Sequence, residues 1–258
     1  MQSPKSSSSL ARSLNIGLYR LARNWLGVAL TIIGVYVAFM YITPAMMHIG
    51  WTGPARVLYA LYSPFCHQLA FRSVFLFGEQ PFYPRAISGA EMTPFEVYAE
   101  RLPEFENIDV YASDSPQDFA NLLFAARPFV GNEQTGYKAS VCARDVAIYT
   151  ALLIGGIIYA IPTVRRRLRP VPIWLYLLLG IAPIGIDGMS QLLSYPPFML
   201  WPVRETSPEF RVVTGALFGF MNAWLAFPYL EASFRETRDV LHDKLKRAGI
   251  QLKPYASP

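Results

Sequence analysis

Four stretches of this chain are apolar for long enough to cross a lipid bilayer, and that limits what it can fold into more than any other feature. They cover about 25–47, 143–163, 172–195 and 212–230. Within hydrocarbon every backbone N–H and C=O needs a partner inside its own segment, so such stretches form helices. Residues are 53% hydrophobic and only 16% charged, outside the usual range for a soluble domain. Many Trp and Tyr stand near the ends of the runs, as an interfacial belt requires. The first run is too long for the apolar part of a signal peptide and lacks a small-x-small cleavage site, so it reads as an uncleaved span. Gly27 and Gly34 within it are small enough for close helix packing, and Pro44 ends or kinks it. The expected fold is all-α, a polytopic membrane helix bundle of four transmembrane helices.

The polar segments set the domain plan. Residues 1–24 are Ser-rich and basic. Residues 55–65 are apolar but too short to span, and read as a re-entrant or interfacial helix ending near Pro64. Residues 78–138 are acidic and broken by proline and glycine, and read as a small extracytoplasmic helical cap. Two helix starts are legible in it, Thr93-Pro94 and Ser115-Pro116-Gln117-Asp118. Residues 231–258 form a charged amphipathic tail, with Leu241, Leu245 and Ile250 as contact residues. Positive charge clusters at the N-terminus (Lys5, Arg12, Arg20, Arg23), after the second span (Arg165, Arg166, Arg167, Arg169) and in the tail, whereas 48–140 holds ten acids against six bases. The positive-inside rule therefore places both termini in the cytoplasm and the cap outside, in a multi-pass protein of the cell membrane. The net charge of +5 follows from this topology, and no nucleic-acid partner is implied.

Chemistry gathers at the expected outer ends of the spans. Cys66 and His67 follow the first span, and Cys142 comes just before the second, in Cys142-Ala143-Arg144-Asp145. Cysteine and histidine are natural ligands for zinc or copper, and the Asp145 carboxylate can complete a tetrahedron. The same two cysteines can instead form one disulfide in an oxidising compartment, or stay unpaired; the spacing does not choose. Asp187 lies inside the third span with Gln191 one helical turn on. A charge there faces a partner, a cavity or a pathway, and Arg144, Arg204 and Arg211 are the candidate partners. Several arginines near one outer cavity can hold a phosphate or carboxylate, or can pair with Glu205, Glu209 and the acidic cap. No Walker A, Rossmann, His-Glu-x-x-His, Gly-x-Ser-x-Gly, Cys-x-x-Cys or haem-attachment pattern occurs.

These short motifs, in this order, resemble a family of small prokaryotic integral membrane proteins of unknown function. The motifs are Cys66-His67-Gln68 with Arg72-Ser73, then Cys142-Ala143-Arg144-Asp145, Asp187-Gly188-Met189-Ser190-Gln191, Arg204, Arg211 and Thr214-Gly215. The resemblance covers roughly 55–80 and 138–220, with the cap at 81–137 as an insertion. Many relatives have a third cysteine where Asp145 stands. The resemblance implies a shared site without naming its chemistry. Two functions are then open. One is an outer-leaflet site in which Cys66, His67, Cys142 and Asp145 hold a metal or a disulfide. Gln68, Arg72, Arg144, Asp187, Gln191, Arg204, Arg211 and Thr214 would supply a polar or ligand-binding wall. The alternative is a structural or accessory subunit docked on other membrane proteins, as in a respiratory or photosynthetic complex.

Overall fold

A computed structural model describes residues 6–111 and 115–250. Lys5, Asp114 and the tail beyond residue 250, which entered the charge pattern, lie outside the described residues. In chain order the helices and strands begin with α1 (Ser6–His48), α2 (Thr52–Tyr62), β1 (Ser73–Leu76), α3 (Phe95–Ala99) and α4 (Pro116–Ala126). They continue with β2 (Gly131–Asn132), β3 (Gly136–Cys142), α5 (Ala143–Ala160), α6 (Pro162–Arg167), α7 (Ile173–Ser194) and α8 (Pro208–Arg247).

Four helices, α1, α5, α7 and α8, are long and apolar enough to cross a membrane, where the four runs are expected. Two of them outlast their apolar runs. α1 has 43 residues and α8 has 40, so 6–24 and 231–247 continue the first and last spans as helix. In α8 nothing between 231 and 247 breaks the helix, whereas α1 consists of two helical segments that meet at Asn24. Asn24 kinks α1 just before the apolar run (φ −113°, ψ 17°), and Pro44 sits inside it rather than at its end. Beyond the kink, Tyr19 packs against Leu241 and Leu245 of α8. Glu231 ties the same end together, accepting from Trp25 Nε1 at 2.9 Å and Arg165 Nη2 at 2.6 Å. In α7 the stretch Tyr176–Ile181 is π-helical, just ahead of Pro183, whose missing N–H removes a ladder bond.

The closest helix contact is between α5 and α8. A Cβ added at Gly219 would stand 2.2 Å from the Ile148 carbonyl oxygen, and one at Gly215 would stand 2.6 Å from that of Arg144. Close packing of small residues therefore falls on α8 and not on α1. A Cβ added at Gly27 would meet nothing within 4 Å, and one at Gly34 only the Leu153 side chain at 3.9 Å.

The cap has both expected helices. Ser115 caps α4 by accepting from the Asp118 N–H at 3.3 Å, and α3 starts directly after Pro94. Its core is aromatic, with Phe71, Phe75, Tyr83, Phe95, Phe105 and Phe129 buried together. An ion pair between Arg85 and Glu96, both side chains 1% exposed, lies beside that core. The unexpected element is a three-stranded antiparallel sheet in the order β1-β3-β2. Ser73 pairs with Cys142, Phe75 with Lys138 and Leu76 with Tyr137. β1 has four residues and β2 two, too few for an alternating pattern to register.

The α5–α8 contact predicts a contrast between two glycines. Gly219→Val forces a branched side chain onto a backbone carbonyl, an overpacking cost of about 1–3 kcal/mol or more, and lowers the Tm of the detergent-solubilised protein. Gly27→Val, in open space, leaves it unchanged.

Candidate functional site

After α2 the chain turns back toward β1 through Cys66, His67 and Gln68. Gln68 has φ 55°, a left-handed conformation uncommon for a residue with a side chain. Its own amide braces the turn, with Nε2 donating to Tyr59 O at 2.8 Å and Ser140 O at 2.7 Å. From β3, Lys138 Nζ donates to Gln68 O at 2.6 Å and Arg127 O at 2.7 Å. Lys138 is fully buried, and burial pushes its ammonium down to about 7.

This bracing brings Cys66 Sγ within hydrogen-bond reach of two backbone amides, Cys142 N–H at 3.1 Å and Gln68 N–H at 3.4 Å. Cys142 ends β3 and immediately precedes α5. Its thiol donates to Asp145 Oδ2, in the first turn of α5, at 2.9 Å. The donor atoms of Cys66, Cys142 and Asp145 lie within 4.8 Å of one another. Hydrogen bonding from Cys142 is the largest influence on Cys66 and, with the backbone amides, outweighs burial, so the Cys66 thiol titrates below its ordinary value. The same contact, with burial, pushes Cys142 well up. Both cysteines are free thiols, so the bridge that their spacing allows is not formed in this structure. His67 is exposed and is not among the three converging donors.

A second cluster stands beside the first. Asp187 is buried and accepts from Arg144 Nη2, from Arg204 Nη2 at 3.2 Å and from Thr206 Oγ1 at 2.8 Å. Glu205 is buried and accepts from Arg72 Nη2 at 2.7 Å, Arg211 Nη2 at 2.6 Å and the Tyr195 hydroxyl. Thr206 joins the two groups, its hydroxyl bonded to Asp187 and its carbonyl accepting from Arg211 Nε at 3.1 Å, and Gln191 extends the Glu205 group. Its Nε2 donates to Tyr195 and Glu205, and its Oε1 accepts from Arg211 at 3.2 Å. Burial alone would raise the Glu205 carboxyl, but the guanidiniums of Arg72 and Arg211 outweigh it and hold it below the usual range. Burial and the nearby Glu205 carboxylate push the Tyr195 phenol up, so it remains a donor.

Arg144 and Arg204 are thus the partners of Asp187, while Arg211 pairs with Glu205. Thr214 does not reach the cluster: its hydroxyl donates to Phe210 O at 2.8 Å, and the adjacent Gly215 serves the α5 contact. Glu205, one of the acids that the sequence offers as partners for these arginines, is a central member, and so is Tyr195, which no motif pointed to. Tyr195 follows Gln191 by four residues, but the helix ends at Ser194 and Tyr195 itself is extended, so helix periodicity does not mark it. Glu205 stood in a proline-broken loop, where no periodicity marks an inward residue.

Between the clusters lies a cavity of about 460 Å³. Cys66, His67, Cys142 and Asp145 line one part of it, Arg72, Arg144 and Arg211 another, and Phe65, Leu123 and Leu192 its apolar part.

Residues 133–225 match the family described as Predicted membrane protein (DUF2085). The match includes Cys142, Asp145, both carboxylates of the polar cluster and three of its arginines, while the Cys66–Arg72 segment lies outside it. An uncharacterised protein of Methanocaldococcus jannaschii is 34% identical over 94 residues, which cover 36% of this chain and 54% of that protein. The chain thus spans about half the length of the curated relative it matches. No solved structure matches. The chain is accordingly similar to a membrane protein family of unknown function.

Lys138 supplies a pH test of the bracing. Its amine titrates at about 7 in the folded protein against an ordinary value of 10.5, so the unfolded chain binds more protons between those values. Stability conferred at this position therefore rises with pH across that window and is lost as pH falls toward 7. Tm measured from pH 7 upward climbs more steeply in the native protein than in Lys138→Met. Equal slopes would show that Lys138 titrates normally.

Proposed function

We propose that this protein is a metal-binding integral membrane protein, with zinc as the preferred ion, held by Cys66, Cys142 and Asp145 at one end of the helix bundle. The carrying observation is the convergence of two thiols and a carboxylate to within 4.8 Å, from residues 76 positions apart at their closest contact. Two thiolates and a carboxylate suit tetrahedral zinc, whereas copper(I) favours sulfur ligands alone. Zinc–sulfur bonds of about 2.3 Å and zinc–oxygen bonds of about 2.0–2.2 Å place tetrahedral donors roughly 3.5–3.8 Å apart. Reaching that spacing takes shifts of about 1 Å or less: Cys142 Sγ and Asp145 Oδ2, now 2.9 Å apart, open slightly, and donors as far as 4.8 Å apart draw in. The Cys66 sulfur already accepts two backbone N–H bonds, which orient a ligand and tune its charge.

Three protein ligands leave the fourth position of a tetrahedron free, the arrangement of zinc sites that bind or activate a ligand. All three ligands line the 460 Å³ cavity, so the free position gives onto it. The positive-inside pattern puts this end of the bundle, with the cap, on the extracytoplasmic face of the cell membrane, and both termini inside. α2 fits an interfacial helix there. It buries Ala55, Tyr59 and Tyr62 and exposes Val57 and Leu61 on its other side, toward lipid.

Metal analysis of the purified protein tests the centre. About one zinc per chain is expected, lost in Cys66→Ser and in Cys142→Ser and kept in His67→Ala. Metal retained by both serine variants at native Tm would sink the proposal.

A further inference from the structure

The cavity wall opposite the thiols has a design of its own. Arg72, Arg144 and Arg211 line it, but the carboxylates that pair with them, Asp187 and Glu205, do not. Each acid holds its arginines from behind, with side chains 1% and 2% exposed. The guanidiniums are therefore oriented before any ligand arrives, which reduces the ordering cost of binding. Each also keeps unused donors. Among the described residues, Nη1 of Arg72, of Arg144 and of Arg211 donates to no protein acceptor. Arg144 Nε is a buried donor without a partner. Arg211, whose side chain is 5% exposed, is a buried cation with a donor to spare at the cavity.

Charge points the same way. Four arginines (72, 144, 204, 211) face three carboxylates, Asp187 and Glu205 behind them and Asp145 on the cavity wall, leaving a surplus of one positive charge at a half-buried place. Such a surplus is unfavourable unless an anion completes it. α5 and α8 both begin at this end of the bundle, so their positive dipole ends add to the field. Three guanidiniums around one cavity suit an oxyanion with three or more acceptor oxygens better than a carboxylate with two. Next to them, Phe65 and Leu192 are 71% and 51% exposed, an apolar margin against which an acyl chain can lie.

We infer that this cavity is a binding site for a phosphate-type oxyanion, either free or as the headgroup of an amphiphile. The inference goes beyond the zinc reading and does not depend on it, because the arginines, their acids and the cavity are in place without metal. It is therefore tested on full-length protein stripped of metal and dialysed, so a failure here leaves the zinc result standing, and the reverse.

Inorganic phosphate is titrated by equilibrium dialysis. Dioleoylphosphatidic acid is titrated by native mass spectrometry, with dioleoylglycerol as the phosphate-free control. Saturable binding of inorganic phosphate supports a free oxyanion as ligand, and saturable binding of phosphatidic acid alone supports a headgroup. In either case Arg144→Gln, which leaves Asp187 with Arg204 and Thr206, weakens binding about tenfold or more, the worth of one charge-assisted hydrogen bond. Arg72→Gln, which leaves Glu205 with Arg211 and Tyr195, does the same and serves if the first variant loses its native Tm. Three results would overturn the inference: no saturable binding of either phosphate compound, dioleoylglycerol binding as well as phosphatidic acid, or unchanged affinity in a variant of native Tm.

Discussion

The pairing of β1 with β3 is the contact on which the rest of the site depends. Ser73 lies opposite Cys142 in that ladder, and this register carries the Cys66 turn to the first residues of α5. The ladder is short, so it is braced on both sides. Gln68 reaches Ser140 and Tyr59 through its amide, and Lys138 reaches Gln68 and Arg127 through its ammonium. These bonds offset the cost of a left-handed Gln68 and of a buried lysine. Without the ladder the two cysteines would be separate thiols at the ends of unconnected segments.

The polar cluster performs a comparable task within the bundle. An ionisable group at the end of a span is costly unless it is paired, and removing one partner of a buried pair costs about 3–5 kcal/mol. Asp187 and Glu205 distribute that constraint over four arginines drawn from the β1 approach, α5, the α7–α8 loop and α8. The cluster therefore joins segments that hydrophobic packing alone does not align. It also leaves the guanidinium ends toward the cavity. One set of ion pairs thus serves both to hold the helices and to shape a basic surface.

Much of the fold was legible because a bilayer enforces long, simple patterns. The spans, α2 and the two cap helices all appear near the positions that apolar run length and capping residues imply. The helical extensions of α1 and α8 were less visible, because composition reports a change of environment and not the end of a helix. The sheet was hidden for a different reason: β1 and β2, of four and two residues, carry no period, and the seven-residue β3 is buried along nearly its whole length rather than on alternate residues. At the site, Asp187 and Gln191 stood out as polar residues inside a span, and charge named Arg144, Arg204 and Arg211 as candidate partners of Asp187, of which the first two pair with it. Glu205 was one of several acids that could pair with the arginines, whereas Tyr195 and Lys138 did not stand out, since an interfacial tyrosine and a lysine in an acidic cap are each ordinary in sequence. His67, adjacent to Cys66, was a natural ligand by type, but the turn leaves it exposed.

The centre proposed for Cys66, Cys142 and Asp145 is distinctive in its ligand set, and zinc K-edge X-ray absorption of the purified protein reads that set directly. The expected spectrum has two sulfur neighbours at about 2.3 Å and oxygen or nitrogen neighbours at about 2.0–2.2 Å, four in all. A first shell of oxygen and nitrogen alone would contradict a centre built on the two cysteines that the β1–β3 ladder brings together.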